Sequence, residues 1–286
     1  MKATKLLLCT DLDRTLLPNG PQAESPQARP LFTALVERAE VALVYVTGRD
    51  QDLVKQAIAE YRLPQPDYVI ADVGSSIYAN ITQQYAASWQ PLRAWHERIA
   101  NDWNGISGPE ISTLLRAIPL LRLQEDTKQG LFKLSYYVPQ DADKSMLLAM
   151  LNNLLQKQQI RANLIWSIDE PAGVALLDIL PASATKYHAL IFLMQQTGHS
   201  LETTLFAGDS GNDLDVLCSE ISSVLVANAS AEVAQEAHNR ATELGNLQRL
   251  YRAKGGLFGL NGNYSAGIIE GFVHFFPQRQ HWLATK

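Results

Sequence analysis

Cysteine is nearly absent from this chain: Cys9 and Cys218 are the only two among 286 residues. That excludes a disulfide scaffold and suits a reducing cytoplasm. Long apolar runs are missing too, and the four residues Leu6 to Cys9 ahead of Asp11 are too few for a signal peptide or a membrane span. A cytoplasmic protein with no membrane partner is therefore expected. Lysine and arginine number 24 against 29 aspartates and glutamates, and nowhere form a run; the formal net charge of −5 argues against nucleic acid as substrate. The six histidines are scattered, with no pair at zinc-ligand spacing, so His188 and His274 are expected to be structural. No repeat, heptad or low-complexity segment is present.

What the chain does have is acidic and small residues at the ends of short apolar runs. Leu6-Leu7-Leu8 leads into Asp11 and Asp13, two carboxylates two positions apart at the end of an expected buried strand. Such a pair repels itself unless a cation lies between or beside the two, so the spacing invites a divalent, oxygen-liganded metal such as Mg²⁺. An Asx turn would explain the pair without function. Val41 to Val46 ends in Thr47-Gly48-Arg49-Asp50, a strand, a hydroxyl, a glycine and a helix start, which can present N–H groups to a phosphate oxygen. Thr47 and Gly48 are the candidate phosphate binders, and an ordinary N-cap threonine is the alternative. Lys186 follows the strand-like Leu176 to Pro181 at the opening of a helical segment, where its charge could neutralise phosphate and aspartate together. Leu205-Phe206-Ala207 runs into Gly208-Asp209-Ser210-Gly211-Asn212-Asp213, with Gly208 and Gly211 expected to permit a sharp turn and close approach to an ion.

In this order, DLDRT, VTGR, Lys186 and GDSGND resemble the four motifs of the haloacid dehalogenase superfamily of phosphoryl-transfer enzymes. A closer resemblance, over most of the chain, is to the sucrose-phosphate phosphatase family, carried by DVGSSIY at 72–78, FKLSYYV at 132–138, LDILP at 177–181, GDSGND at 208–213 and AGIIEGFVHF at 266–275. Residues 82–130 match least. Arg14 stands where many superfamily members carry Gly or Asn, and is expected to face solvent without disturbing the carboxylates. GDSG is also found at the nucleophile of chymotrypsin-like proteases, but that fold is antiparallel, whereas strand and helix alternate here.

Short apolar segments at 5–10, 41–46, 68–71, 203–207 and 222–226 read as buried parallel strands, and 26–39, 50–62, 184–197, 211–219 and 230–240 as helices. The expected fold is α/β: a doubly wound, mostly parallel sheet with its site at the carboxyl ends of the strands. Between the second motif and Lys186 the texture changes to an α+β unit, with strands at 131–138 and 162–168 and a helix at 142–157. The expected division is a catalytic core of 1–82 and 180–286 and an inserted cap of 83–179, in the position where family members insert a cap. Trp89, Trp95 and Trp103 could offer a sugar-stacking platform, though core packing is the commoner use of tryptophan. Lys133 and Asp178 are the candidate sugar contacts near the seam.

The resemblance implies a Mg²⁺-dependent phosphatase with Asp11 as nucleophile, forming an aspartyl-phosphate, and Asp13 as general acid and base. It implies a metal held by an Asp11 side-chain oxygen, the Asp13 backbone carbonyl and Asp209, with Asn212 and Asp213 in support and Thr47 and Lys186 on the phosphate. The partner is a small sugar phosphate, with sucrose 6-phosphate ranked first. Mannosylfructose, glucosylglycerol and mannosylglycerate phosphates are alternatives. A phosphomutase and a non-catalytic sugar-phosphate-binding module rank lower. The family also leaves room for association with a cognate glycosyl-phosphate synthase.

Overall fold

Leu6 and Leu8 pack into one apolar cluster and Leu7 and Cys9 into another, all four without solvent exposure. Val41, Leu43 and Tyr45 join the first cluster, and Ala42, Val44 and Val46 the second. This alternation between two covered faces is what a near-continuous apolar run requires of a strand inside an α/β sheet.

The computed structural model describes residues 5–83, 86–169 and 173–284. Its strands are β1 (Leu6–Thr10), β2 (Val41–Val46), β3 (Tyr68–Ala71), β4 (Ser76–Gln83), β5 (Ala86–Pro91), β6 (Arg122–Leu123), β7 (Leu134–Pro139), β8 (Ala162–Asp169), β9 (Val174–Pro181), β10 (Thr204–Gly208), β11 (Ser222–Leu225) and β12 (Leu250–Arg252). Its α-helices are α1 (Ala28–Val36), α2 (Gln51–Tyr61), α3 (Arg93–Ala100), α4 (Gly108–Leu115), α5 (Lys144–Lys157), α6 (Lys186–Thr197), α7 (Leu214–Leu217), α8 (Ala231–Glu243) and α9 (Ser265–Phe275).

Eight strands form one sheet in the order β12-β11-β10-β1-β2-β3-β4-β5. Its strands are parallel from β12 to β3, and β4 and β5 add an antiparallel hairpin at the far edge. Residues of α1, α2 and α9 cover one face, those of α6, α7 and α8 the other. A second, four-stranded antiparallel sheet, β6-β7-β9-β8, buries its own cluster against α4 and α5. The fold class is the α/β architecture expected.

The segments 41–46 and 68–71 are strands at the expected residues. The expected helix at 211–219 is shorter, one 3₁₀ turn and the four residues of α7, and it stops at Leu217, where Ser219 Oγ and N–H both turn back to Val216 O. The boundary at residue 83 does not follow the strand pairing. β5 pairs with β4 in the larger sheet, and Trp95 and Ile99 of α3 pack into that sheet's second cluster.

The tryptophans also separate. Trp95 packs at a tilt against Phe192, ring centroids 5.1 Å apart, and donates its indole N–H to Gly74 O at 3.0 Å. Trp103 is buried under the small sheet and Trp89 lies half-buried on β5, so the three form no common platform. Among the described residues no helix is long and apolar enough to cross a membrane.

Candidate active site

β10, β1 and β2 are neighbours in the large sheet, and Asp209, Asp11 and Thr47 are the residues that follow their last positions. The chain leaves β1 for β2 on one side and reaches β10 on the other. That reversal opens a crevice at the carboxyl ends of the strands. Asp11 is anchored there by its backbone N–H, which donates to Ala207 O at 2.9 Å.

Lys186 comes from the opposite wall, as the first residue of α6, whose N-cap Thr185 accepts the His188 N–H through Oγ1. Its ammonium donates to Asp11 Oδ1 at 2.8 Å, Asn212 Oδ1 at 2.8 Å and Asp213 Oδ1 at 2.7 Å. All three N–H bonds of a lysine with 2% exposure are thereby used. Asp213 Oδ2 accepts the backbone N–H groups of Asp209 and Ser210, each at 3.1 Å. Gly208 makes this fit possible, since a Cβ there would lie 2.7 Å from Asp213 Cγ. Gly211 has neither a crowded Cβ position nor a positive φ, so the expected reason for a glycine does not hold there.

Oxygens of Asp11, Asp209 and Asp213 lie within 4.8 Å of one another, all three residues buried. Burial, then the charges of Asp213 and Asp209, outweigh the pull of Lys186 and push Asp11 up to about 7. Burial and Asp213 likewise push Asp209 up to about 6, against Arg14, Thr15 and Lys186. Burial works to lower Lys186, but Asp11 and Asp213 overturn it and hold the ammonium charged. Three carboxylates with one buried cation are short of positive charge. An all-oxygen donor set of this kind fits a hard divalent ion.

Asp13 is placed differently from its partner. Its carboxylate accepts two hydrogen bonds from Arg49, at 2.8 and 2.6 Å, and a third from Asn19 Nδ2 at 2.7 Å. Burial raises this carboxyl, but Arg49 and Asn19 prevail and hold it below the usual carboxylate range. Arg49 and Asn19 belong to this site although sequence reasoning did not single them out; Arg49 lies inside the VTGR string, and Asn19 six residues beyond Asp13 in a turn-rich loop. Arg14 is not detached from the carboxylates: its Nε lies 3.5 Å from Asp209 Oδ2, with Thr15 Oγ1 donating to the other oxygen at 3.3 Å.

Thr47 is buried, its N–H donated to Ile70 O at 2.8 Å and its Oγ1 accepting the Arg49 N–H at 3.2 Å. It is not the cap of α2. That role belongs to Asp50, which accepts the Leu53 N–H at 2.9 Å. Gly48 follows directly, on the turn between Thr47 and Arg49.

Lys133 and Asp178 lie on the small-sheet side. Lys133 Nζ donates to Asp72 Oδ1 at 3.0 Å across to the large-sheet side, both side chains mostly buried. Burial alone would lower Lys133; Asp72 and then Asp178 leave it raised. Asp178 on β9 accepts from Ser135 Oγ at 2.5 Å. Neither is bonded to the Asp11–Lys186 cluster.

A crevice of buried carboxylates and one lysine, at the switch point of a mostly parallel sheet with an inserted antiparallel sheet, is the arrangement of the haloacid dehalogenase-like enzymes. A profile of sucrose-6F-phosphate phosphohydrolase matches residues 4–276, and the chain belongs to that family. It is 50% identical over 281 residues to a putative haloacid dehalogenase-like hydrolase of Nitrosococcus oceani, covering 98% of this chain and 74% of that protein. It is 30% identical to sucrose-phosphatase 1 of Nicotiana tabacum, over 96% of this chain and 60% of that one. Mannosylfructose-phosphate phosphatase of Agrobacterium fabrum is 28% identical, with 94% and 96% covered. The chain thus spans about three-fifths of the tobacco relative, 60% of it. Among solved structures, the sucrose-phosphatase of Synechocystis in complex with sucrose and phosphate shares the fold, with a TM-score of 0.69 at 24% identity over 95% of this chain and 98% of that one.

Proposed function

We propose that this phosphatase is Mg²⁺-dependent and hydrolyses a sugar phosphate, with sucrose 6-phosphate as the first candidate, through an aspartyl-phosphate intermediate. The observation that carries this reading is the buried Lys186, bonded at once to Asp11, Asn212 and Asp213 beside Asp209. A carboxylate can approach a phosphate dianion only where cations offset the repulsion. A bound Mg²⁺ would supply that charge, held by Asp11, Asp209 and the Asp13 carbonyl, with Asn212 and Asp213 in support.

In this reading a carboxylate oxygen of Asp11 attacks phosphorus, the bond from phosphorus to the sugar oxygen breaks, and Asp13 gives that oxygen a proton. Asp13 then takes a proton from the water that cleaves the acyl phosphate. Lys186 fixes the Asp11 carboxylate through Oδ1, and Thr47 and Gly48 hold phosphate oxygens. Because Arg49 and Asn19 hold Asp13 as a carboxylate, the acid role requires Asp13 to release Arg49 and take up a proton from solvent before it meets the leaving oxygen.

The small sheet with α4, α5 and residues 101–103 is the cap. It leaves a cleft of about 600 Å³ against the core, lined by Asp50, Gln51, Tyr78, His96, Gln129 and Phe132 among others. Carboxylates, amides and aromatic rings suit a polyhydroxylated leaving group. Mannosylfructose phosphate is the second candidate, since that phosphatase is matched over 96% of its own length.

A phosphate-release screen tests the reading. Sucrose 6-phosphate should exceed glucose 6-phosphate, fructose 6-phosphate and p-nitrophenyl phosphate in kcat/KM by about tenfold, roughly 1.4 kcal/mol of extra transition-state binding. Equal rates on all four would leave a broad phosphatase, and a clear win for another disaccharide phosphate would replace the named sugar.

A further inference from the structure

Asp72, Val73 and Gly74 have φ of 50°, 58° and 104°, three successive residues in the left-handed region. For the β-branched Val73 this is a real outlier, and such backbone persists only where its surroundings over-determine it. The surroundings here are the groups assigned to phosphate chemistry. Asp72 N–H donates to Arg49 O at 3.0 Å, and Val73 N–H to Thr47 O at 3.1 Å. Gly74 abuts the start of α6 so closely that a Cβ would lie 2.4 Å from Thr185 C and 2.8 Å from Lys186 N. Gly74 O is held by the Trp95 indole, and the Asp72 carboxylate by Lys133 from the cap side.

We propose that Asp72–Val73–Gly74 is a strut coupling the cap to the phosphate site, which makes Lys133 and Asp72 positioning residues for phosphoryl transfer rather than contacts to the sugar. One end of the strut is gripped by the cap through Lys133. Its other contacts include the backbones of Thr47, Arg49, Thr185 and Lys186 and the Trp95 indole. Because packed, strained segments have few alternative arrangements, a change at Asp72 is passed on as a displacement of those backbones rather than absorbed. The kinetic consequence rests on the phosphatase reading above; the structural coupling does not.

Lys133→Met and Asp72→Asn test it from both sides of the ion pair, with Lys133→Arg as the conservative control. Each of the first two should lower kcat by about tenfold or more on p-nitrophenyl phosphate, which has no sugar, as well as on sucrose 6-phosphate, while Lys133→Arg stays within roughly threefold of the parent. A loss confined to KM for the sugar ester, with aryl hydrolysis unchanged, would make Lys133 a sugar contact and overturn the proposal. Hydrogen exchange gives a readout that needs no turnover. In Lys133→Met, amides at 47–49 and 184–188 should exchange faster along with those near 72 and 130–135, while β11 is unchanged. Acceleration confined to 72 and 130–135, or spread uniformly through β11, would equally overturn it. A parent chain inactive on every phosphate ester would remove the phosphatase reading, and the exchange pattern would still decide the coupling.

Discussion

Arg14 carries a φ of 58°, a backbone state that costs a non-glycine residue about 1 kcal/mol. Gly and Asn adopt this backbone state more readily than arginine does. Here the cost is offset by contacts: the Arg14 N–H donates to Asn19 Oδ1 at 2.8 Å, and Asn228 Nδ2 donates to Arg14 O at 2.6 Å. The two paired carboxylates are made unlike by their surroundings in the fold, Asp11 pushed up by burial and Asp13 held down by Arg49. Their substitutions should therefore differ. Asp11→Asn is nearly isosteric but cannot serve as nucleophile, so phosphate release should fall by more than about 10³-fold with the fold retained by circular dichroism. Near-normal turnover of the purified variant would remove Asp11 from that role. Asp13→Asn should cost sugar esters about 10²-fold or more and aryl phosphates much less, because a good leaving group needs little protonation. Equal losses on the two ester types would count against Asp13 as the acid.

At the scale of elements, β1, β2 and β10 were legible because each is an apolar run covered on both faces and ended by a polar turn. The β4–β5 hairpin was not, because it mixes small, polar and aromatic residues and gains its place only by pairing with β3. β12 is three residues long and likewise depends on its neighbour β11. In the small sheet β9 lies between β7 and β8, and Leu177 at its middle is fully buried in the third cluster. Leu177→Ala should destabilise the protein by about 2–5 kcal/mol in urea unfolding, the cost of a buried leucine deletion with its residual cavity. A loss below about 1 kcal/mol would mean that this cluster is not a close-packed core.

The whole molecule stores unbalanced charge at one place, and its stability should report it. Asp11, pushed up to about 7, and Asp209, pushed up to about 6, hold protons more tightly folded than unfolded, where both titrate near 3.8. Folding therefore takes up protons between about pH 4 and 7, and the metal-free protein loses stability as pH rises through that window. A divalent cation relieves the same repulsion once the protons are gone. Mg²⁺ should raise Tm more at pH 8 than at pH 5, and EDTA should abolish both the increment and turnover, with about 1 kcal/mol corresponding to ~2 °C in a chain of this size. An equal Mg²⁺ increment at the two pH values, or full activity in metal-free buffer, would contradict the charge balance described for the crevice.

The amino-acid sequence by itself determined the parallel core and the order of the four motif strings, because apolar periodicity and short-range spacing are local properties; it was the resemblance of those strings to the haloacid dehalogenase motifs that singled out Asp11, Asp13, Thr47, Lys186 and Asp209 as candidates. Only the tertiary structure decided what those residues touch. Asp213, 202 positions from Asp11, shares Lys186 with it, and Arg49 reaches back 36 positions to hold Asp13. Lys133 faces Asp72 across 61 positions. Such pairings depend on which strand ends and helix starts the sheet order brings together, and on where buried charge must find a partner. Neither is encoded within any short window of the chain.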